Sequence, residues 1–286
     1  MLTISNLSFA YSRRNVLENL NLEIPEGAVC GLLAPNGTGK TTLLQVIMGA
    51  LLPRKGSVVF NGVDTALRHP QTLAQMMLVP EEITLPGISL QSFIRLYGSM
   101  YPRFSAELMD RCIDEFRIRD IRKLGSLSMG QKKKVFLSMA LACRPKLLLM
   151  DEPTNGLDIP GKAAMRRLLV ECLDEDATVI ISTHQVRDLE QMLERIVIMD
   201  RSNVTFNHTV GEIQQCLRFV RNVAPEQVQG AISAVAAPGG FDAMLVNNDS
   251  GTETPVNLEI LFDYALREPE KLETYFSNLK KNNSDE

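Results

Sequence analysis

Two short segments of this 286-residue chain combine residue types and spacings that suit phosphate chemistry. Ala34 to Thr41 read APNGTGKT, the pattern G-x-x-x-x-G-K-[ST] with alanine in its first place. Gly37 and Gly39 let backbone N–H groups turn inward and approach phosphate oxygens with no Cβ in the way. Lys40 then reaches the terminal phosphates. Thr41 offers a hydroxyl to Mg²⁺ where a helix begins and directs its positive end at the anion. Asn36, Thr38 and Thr42 complete the nucleotide-binding loop, and Ala34 is expected to tighten its start. The bland alternative is a glycine-rich helix N-cap. The second segment, Leu147 to Glu152, reads LLLMDE, an apolar strand that delivers two adjacent carboxylates at its C-terminal end. Ligands of open α/β sheets bind at that edge. Asp151 is suited to hold Mg²⁺ through water, and Glu152 to polarise the water that attacks a γ-phosphate. Alone, the pair reads equally as solvated acids in a turn stopped by Pro153; the phosphate loop tips the reading to catalysis.

The surrounding pattern supplies elements to hold these residues. Leu2 to Phe9 and Leu17 to Ile24 alternate apolar and polar positions, as antiparallel strands do. Ala28 to Leu33 is a short apolar run that enters the glycine-rich loop, and a helical pattern follows from Thr41 to Met48. Apolar runs recur at Lys146 to Met150 and Thr178 to Ser182, as expected for parallel strands buried on both faces. Between Ser89 and Cys143 helical periodicity takes over, with breaks near Tyr101-Pro102 and Gly125. From Leu217 six basic residues face eleven acidic ones, a balance of −5 that leaves about +1 for everything before it. This tail reads as a separate small unit with a strand at Phe241 to Val246 and a helix from about Asn257 that Pro269 ends or kinks.

Composition bounds the function. With 30 Lys+Arg against 34 Asp+Glu, a net charge of −4 and a pI near 5.6, a general nucleic-acid coat is disfavoured. No stretch approaches the roughly 20 apolar residues of a membrane span. The start, MLTISNLSFAYSRR, lacks a basic leader with an apolar block, so a cytosolic chain is expected. Cys30, Cys112, Cys143, Cys172 and Cys216 are far apart with no CxxC pair, which favours reduced, buried thiols.

From Met1 to about Gln215 these residues resemble the ATP-binding-cassette (ABC) ATPases. The distinguishing segment is Leu127 to Gln131, LSMGQ, similar to the family signature LSGGQ. Ser128 followed three residues later by Gln131 is also a capping-box pattern, which opens a helix N-terminus with free N–H groups. Lys132, Lys133 and Lys134 then crowd the first turn, either as an anion-binding face or as a solvated one. The resemblance implies that two domains pair head to tail, with Ser128, Gly130 and Gln131 of one closing over ATP held by the other. It places Met129 at the first signature glycine. It further implies that Tyr11 stacks on adenine, with core packing as its alternative, and that Asn155 to Asp158, NGLD, touches the opposite protomer, although Asp158 equally suits a helix cap. His184 falls where the family sets a histidine against the γ-phosphate; a turn residue is the alternative. Glu81, in MMLVPEE, stands where the family usually has glutamine and offers Mg²⁺ a further carboxylate, with Gln75 as the other candidate for that place.

The implied fold is α/β: a P-loop NTPase (RecA-like) with a mostly parallel sheet, an N-terminal antiparallel β subdomain and an inserted helical subdomain. The ABC ATPase domain would span 1–216, with the insertion at about 86–144, and a small C-terminal α/β extension would span 217–286. The implied activity is Mg²⁺-dependent ATP hydrolysis by an ATP-joined homodimer that drives a separate multi-span permease, peripheral on the inner face of the cell membrane. Glu81 and the LEILF segment Leu258 to Phe262 resemble the exporter-type ABC-2 group. No nucleic-acid partner is expected. The alternative is a soluble ABC ATPase acting on the ribosome or DNA, whose relatives carry two cassettes or a long coiled coil. A binding module without turnover would have lost Glu152 or His184, and both are present.

Overall fold

The computed structural model describes residues 1–119, 121–184, 190–248 and 253–282. In chain order the elements are β1 (Leu2–Tyr11), β2 (Arg14–Ile24), β3 (Val29–Leu33), α1 (Lys40–Ile47), β4 (Lys55–Phe60), β5 (Val63–Asp64), α2 (Pro70–Leu73) and β6 (Met76–Val79). Three longer helices follow: α3 (Leu90–Gly98), α4 (Ala106–Phe116) and α5 (Met129–Ala142). Then come β7 (Leu147–Asp151), α6 (Ile159–Cys172), β8 (Thr178–Thr183), β9 (Arg195–Asp200), β10 (Asn203–Thr209) and α7 (Val210–Cys216). The chain continues with β11 (Leu217–Val223), β12 (Ser233–Ala237), β13 (Gly240–Val246), α8 (Leu258–Arg267) and α9 (Pro269–Asn282).

Strands that are apolar on both faces must be covered on both. β7 and β8 are buried at every position, and they sit inside a six-stranded sheet of order β10-β9-β3-β8-β7-β6. All neighbours in it are parallel except β10, which runs antiparallel to β9. Successive side chains of a strand point to opposite faces. Leu148, Met150, Val179, Ile181, Ile196 and Ile198 therefore join the core on the helical side, while Leu147, Leu149, Ile180, Val197 and Met199 join the other. That second core is closed by α1, through Leu43, Leu44 and Ile47, and by a four-stranded antiparallel sheet of order β2-β1-β4-β5. Alternation again selects its inner face, with Leu2, Ile4, Leu7 and Phe9 from β1.

The helical stretch is built on serine caps. Ser89, Ser105 and Ser128 each accept a hydrogen bond from a backbone N–H in the first turn of α3, α4 and α5. Phe93, Met109, Ile113, Phe116, Val135 and Met139 then bury the apolar faces in the helical-side core, with α4 packed on α5 and α6, and α5 on β6. From Leu217, β11, β13 and β12 form a three-stranded antiparallel sheet under α8, while α9 packs on α7, α8 and β10. Pro269 is the first residue of α9, where its missing N–H is an orphan in any case. Leu217, Phe219, Met244, Leu261, Leu272 and Phe276 belong to the same apolar core as Met150 and Ile196. The tail is thus packed onto the rest through shared side chains, and Phe276 stacks on His208 of β10 at 4.1 Å between ring centres.

All five cysteines are free and buried. Burial pushes the thiols of Cys30, Cys112 and Cys143 up to about 12, so these groups stay protonated and inert. Among the described residues, no helix is long and apolar enough to cross a membrane.

Candidate nucleotide-binding site

The loop between β3 and α1 is shaped by two glycines in the left-handed region, Gly37 at φ 78° and Gly39 at φ 103°. A Cβ on Gly39 would come within 2.8 Å of Val16 Cγ1, whereas one on Gly37 would meet nothing within 4 Å. Gly39 is thus required by packing against β2, whereas Gly37 borders open space and is favoured by its left-handed backbone. α1 begins at Lys40 with no side-chain cap and no acidic residue in its first turn, leaving its N–H groups to a ligand. Lys40 is nearly buried; its Nζ donates to the carbonyl of Ala34 at 2.7 Å and of Pro35 at 3.4 Å. Burial lowers its pKa, against the pull of Glu152, Asp151 and Glu81. Ala34 places its extra Cβ in the apolar core beside β1 and α1, so the departure from glycine is absorbed by packing.

The carboxylates arrive from β7. Asp151 Oδ2 accepts a hydrogen bond from Thr41 Oγ1 at 2.6 Å, and Asp151 Oδ1 accepts one from Ser182 Oγ. Glu152 stands just past the strand at φ 44°, a left-handed conformation that costs a non-glycine residue about 1–3 kcal/mol. Its N–H donates to the carbonyl of Ser182 at 3.0 Å. Glu152 Oε1 accepts the backbone N–H of His184 at 3.1 Å and lies 2.6 Å from His184 Nδ1. An ionised carboxylate only accepts, so Nδ1 is the protonated ring nitrogen when this contact is a hydrogen bond. Glu152 Oε2 is buried with no partner among the described residues. Glu81 follows β6, and its Oε1 accepts from Asn155 Nδ2 at 3.0 Å.

These groups share one cavity of about 350 Å³ lined by Tyr11, Asn36, Gly37, Lys40, Thr41, Thr42, Glu81, Asp151 and Glu152, with Gly39, Arg14 and Val16 completing its wall. Tyr11 is about half exposed at the rim and makes a T-shaped contact with Phe9 at 4.9 Å between ring centres. Thr38 and His184 are beside the cavity and do not line it; Thr38 Oγ1 donates to the carbonyl of Pro35. Gln75, the other candidate for the place of Glu81, turns away to donate to the carbonyl of Gln71. Hard oxygen donors from Thr41, Asp151 and Glu81 beside a phosphate cradle match the donor set that Mg²⁺ takes, a few protein oxygens completed by phosphate and water. Among the described residues, no three or more His, Cys, Asp or Glu side chains are grouped to hold a metal, Glu81, Asp151 and Glu152 included.

The LSMGQ segment lies apart. Ser128 caps α5, with Gln131 N–H donating to Ser128 Oγ at 3.3 Å and Ser128 N–H donating to Gln131 Oε1 at 3.1 Å. Ser128, Gly130 and Gln131 do not line the cavity. They sit against the NGLD loop: a Cβ on Gly130 would meet the carbonyl of Gly156 at 2.5 Å, and Lys134 Nζ is 2.9 Å from Asp158 Oδ1. Asp158 also caps α6 by accepting the N–H of Gly161 at 3.1 Å. Its hydrogen bond with Lys134 holds its carboxyl below the ordinary range. Of the three lysines, Lys133 fits neither an anion-binding nor a solvated face. It is fully buried, and its Nζ donates to the carbonyls of Glu81 and Glu152.

The sequence does not single out Ser182 or Arg14, and it presents Lys133 only as part of an anion-binding or solvated face. The trace left by Lys133 is its spacing: it shares a helix face with Leu137, Ala140 and Leu141 at i+4, i+7 and i+8, all of them buried.

Comparison with known proteins points to one family. A family profile described as ABC transporter matches residues 17–155. The ABC transporter ATP-binding protein YtrB of Bacillus subtilis is 29% identical over 217 residues, covering 75% of this chain and 74% of that protein. The Nod factor export ATP-binding protein I of Cupriavidus metallidurans is 31% identical over 206 residues, 70% of this chain and 68% of that protein. The solved structure of an ATP-binding subunit of an ABC transporter, 28% identical, superposes with a TM-score of 0.68 over 75% of this chain and 92% of its own. With the phosphate loop, the strand-end carboxylates and the capped LSMGQ helix all in one P-loop fold, the chain belongs to the ATP-binding proteins of ABC transporters.

Proposed function

We propose that this chain is the energising subunit of an export-type ABC transporter, in which two copies close over two ATP molecules and drive a separate membrane permease. One observation carries the reading. The phosphate loop and the carboxylates share a cavity, while Ser128, Gly130 and Gln131 present their capped helix start outside it. A half-site so divided is completed by a second copy, whose LSMGQ segment would cover the phosphates. Export as the direction is favoured by the Nod factor export relative and by Glu81 in place of the usual glutamine. The chain divides in this reading into a cassette at 1–216, carrying a helical insertion at about 86–144, and an extension at 217–286, with the dimer peripheral on the inner membrane face.

Each residue then has a task. Tyr11 stacks on the adenine, and the N–H groups from Asn36 to Thr42 with Lys40 cradle the phosphates. Thr41 and Asp151, with Glu81 nearby, would hold Mg²⁺, which when bound neutralises phosphate charge. His184 fixes Glu152 through Oε1, so Oε2 is the atom left to take a proton from the attacking water. Asp158 faces the second copy while tied to Lys134 of its own signature helix. Replacing Glu152 with glutamine tests this: turnover falls about 10²–10⁴-fold while ATP affinity holds, the loss expected for a general base. Unimpaired turnover would refute the role.

A further inference from the structure

We propose that Lys133 is a positioning residue: it fixes the backbone of the general base Glu152 and of Glu81, and ties both to the helix that begins with the signature. This inference rests on the role given to Glu152 above.

Lysine is almost never buried without a partner, because its ammonium gives up strong hydration. Lys133 is 0% exposed, and its compensation is specific. Nζ donates to the carbonyl of Glu81 at 2.9 Å and to the carbonyl of Glu152 at 3.1 Å. The two carbonyls come from different strand ends, one after β6 and the other after β7, so a single ammonium cross-links the two segments that border the cavity. Burial lowers the Lys133 pKa, and Glu81, Asp151 and Glu152 each oppose that shift. The same three carboxylates act on Lys40 from the other side.

The backbone at Glu152 is where such a clamp matters. The residue is held in the left-handed region, a conformation that persists only when its surroundings over-determine it. Its N–H is taken by the carbonyl of Ser182, and its own carbonyl accepts from the N–H of Asn155 at 3.2 Å and from Lys133 Nζ, the one of these donors that also reaches Glu81 and belongs to α5, so both peptide groups flanking the side chain are fixed. Lys133 lies in α5, five residues after the cap Ser128, and the adjacent Lys134 holds Asp158 of the NGLD loop. Any displacement of the signature helix on meeting the second copy's nucleotide is therefore carried, through one side chain, to the base of this copy's own site.

The test is a double-mutant cycle in the full-length protein, read by single-turnover ATP hydrolysis and by nucleotide affinity. Lys133→Met keeps the apolar stem and removes the donors. It should lower the hydrolysis rate about 10-fold or more with ATP affinity changed less than about threefold, the split expected when an interaction acts on the chemical step. In a Glu152→Gln background the same substitution should cost little more, because both changes act on one group. Lys133→Gln, which keeps an N–H donor, should recover part of the rate, and it carries the same comparison should Lys133→Met not fold. A Lys133→Met rate within about twofold of wild type, or losses that multiply fully with Glu152→Gln and weaken ATP binding equally, would overturn the proposal. Full turnover in Glu152→Gln alone sinks the reading of Glu152 and this inference with it, whereas stalled turnover there beside an unimpaired Lys133→Met sinks this inference only.

Discussion

Asp151 works as a shared acceptor: Thr41 reaches it from the phosphate loop and Ser182 from the neighbouring strand, so one buried carboxylate links three elements. A buried acceptor that loses its donor pays its desolvation, about 1–3 kcal/mol. Ser182→Ala should therefore lower stability by that amount in a denaturant titration, with turnover reduced more than ATP affinity; an unchanged midpoint would show that Oδ1 needs no donor there. Ser182 is invisible as a site residue in the sequence because it looks like the polar end of a buried strand. Glu152 itself was legible as a base candidate from LLLMDE. Its left-handed backbone and its clamp by Lys133 were not, since both depend on which loops the sheet order brings side by side.

Elements fare differently according to how local their signal is. β3, the loop and α1 read directly from an apolar run, two glycines and a helical pattern, with α1 starting at Lys40 in place of Thr41. The capping box at Ser128 and Gln131 follows from a four-residue pattern and forms as written. β4, β5, β10 and β12 are harder. They are short or partly exposed; β5, β10 and β12 pair with their chain neighbours β4, β9 and β13, and only β4 pairs with a distant strand, β1. At this scale the Lys134–Asp158 pair joins the start of α5 to the start of α6. The carboxyl of Asp158 is held below its ordinary value of 3.8, mainly by Lys134. A lowered folded value means that the stabilisation is present above the ordinary value and fades as pH falls through the folded one. Asp158→Asn keeps a good N-cap and removes the charge. Its melting temperature should lie slightly below wild type near neutral pH and converge with it in acid, once the wild-type carboxyl is protonated; a gap that persists there would assign the effect to packing.

For the molecule as a whole, a charge imbalance of −5 after Leu217 suggests a detachable unit, yet Phe219, Met244, Leu261 and Phe276 are buried in the core that also holds Met150. Removing residues 217–286 would leave that apolar surface open to water. The shortened chain should lose solubility or melt markedly lower, and an unchanged melting temperature would show the extension to be energetically separate. The same core fixes the geometry of the larger claim, because the cassette presents its cavity and its LSMGQ corner as separate halves. The most direct test is the solution mass of the Glu152→Gln variant, measured by light scattering with saturating ATP and Mg²⁺ and again without nucleotide. A nucleotide-dependent rise from 31.8 kDa to about twice that value, abolished by Ser128→Arg, is the expected result. A mass that stays at 31.8 kDa at every ATP concentration would contradict it.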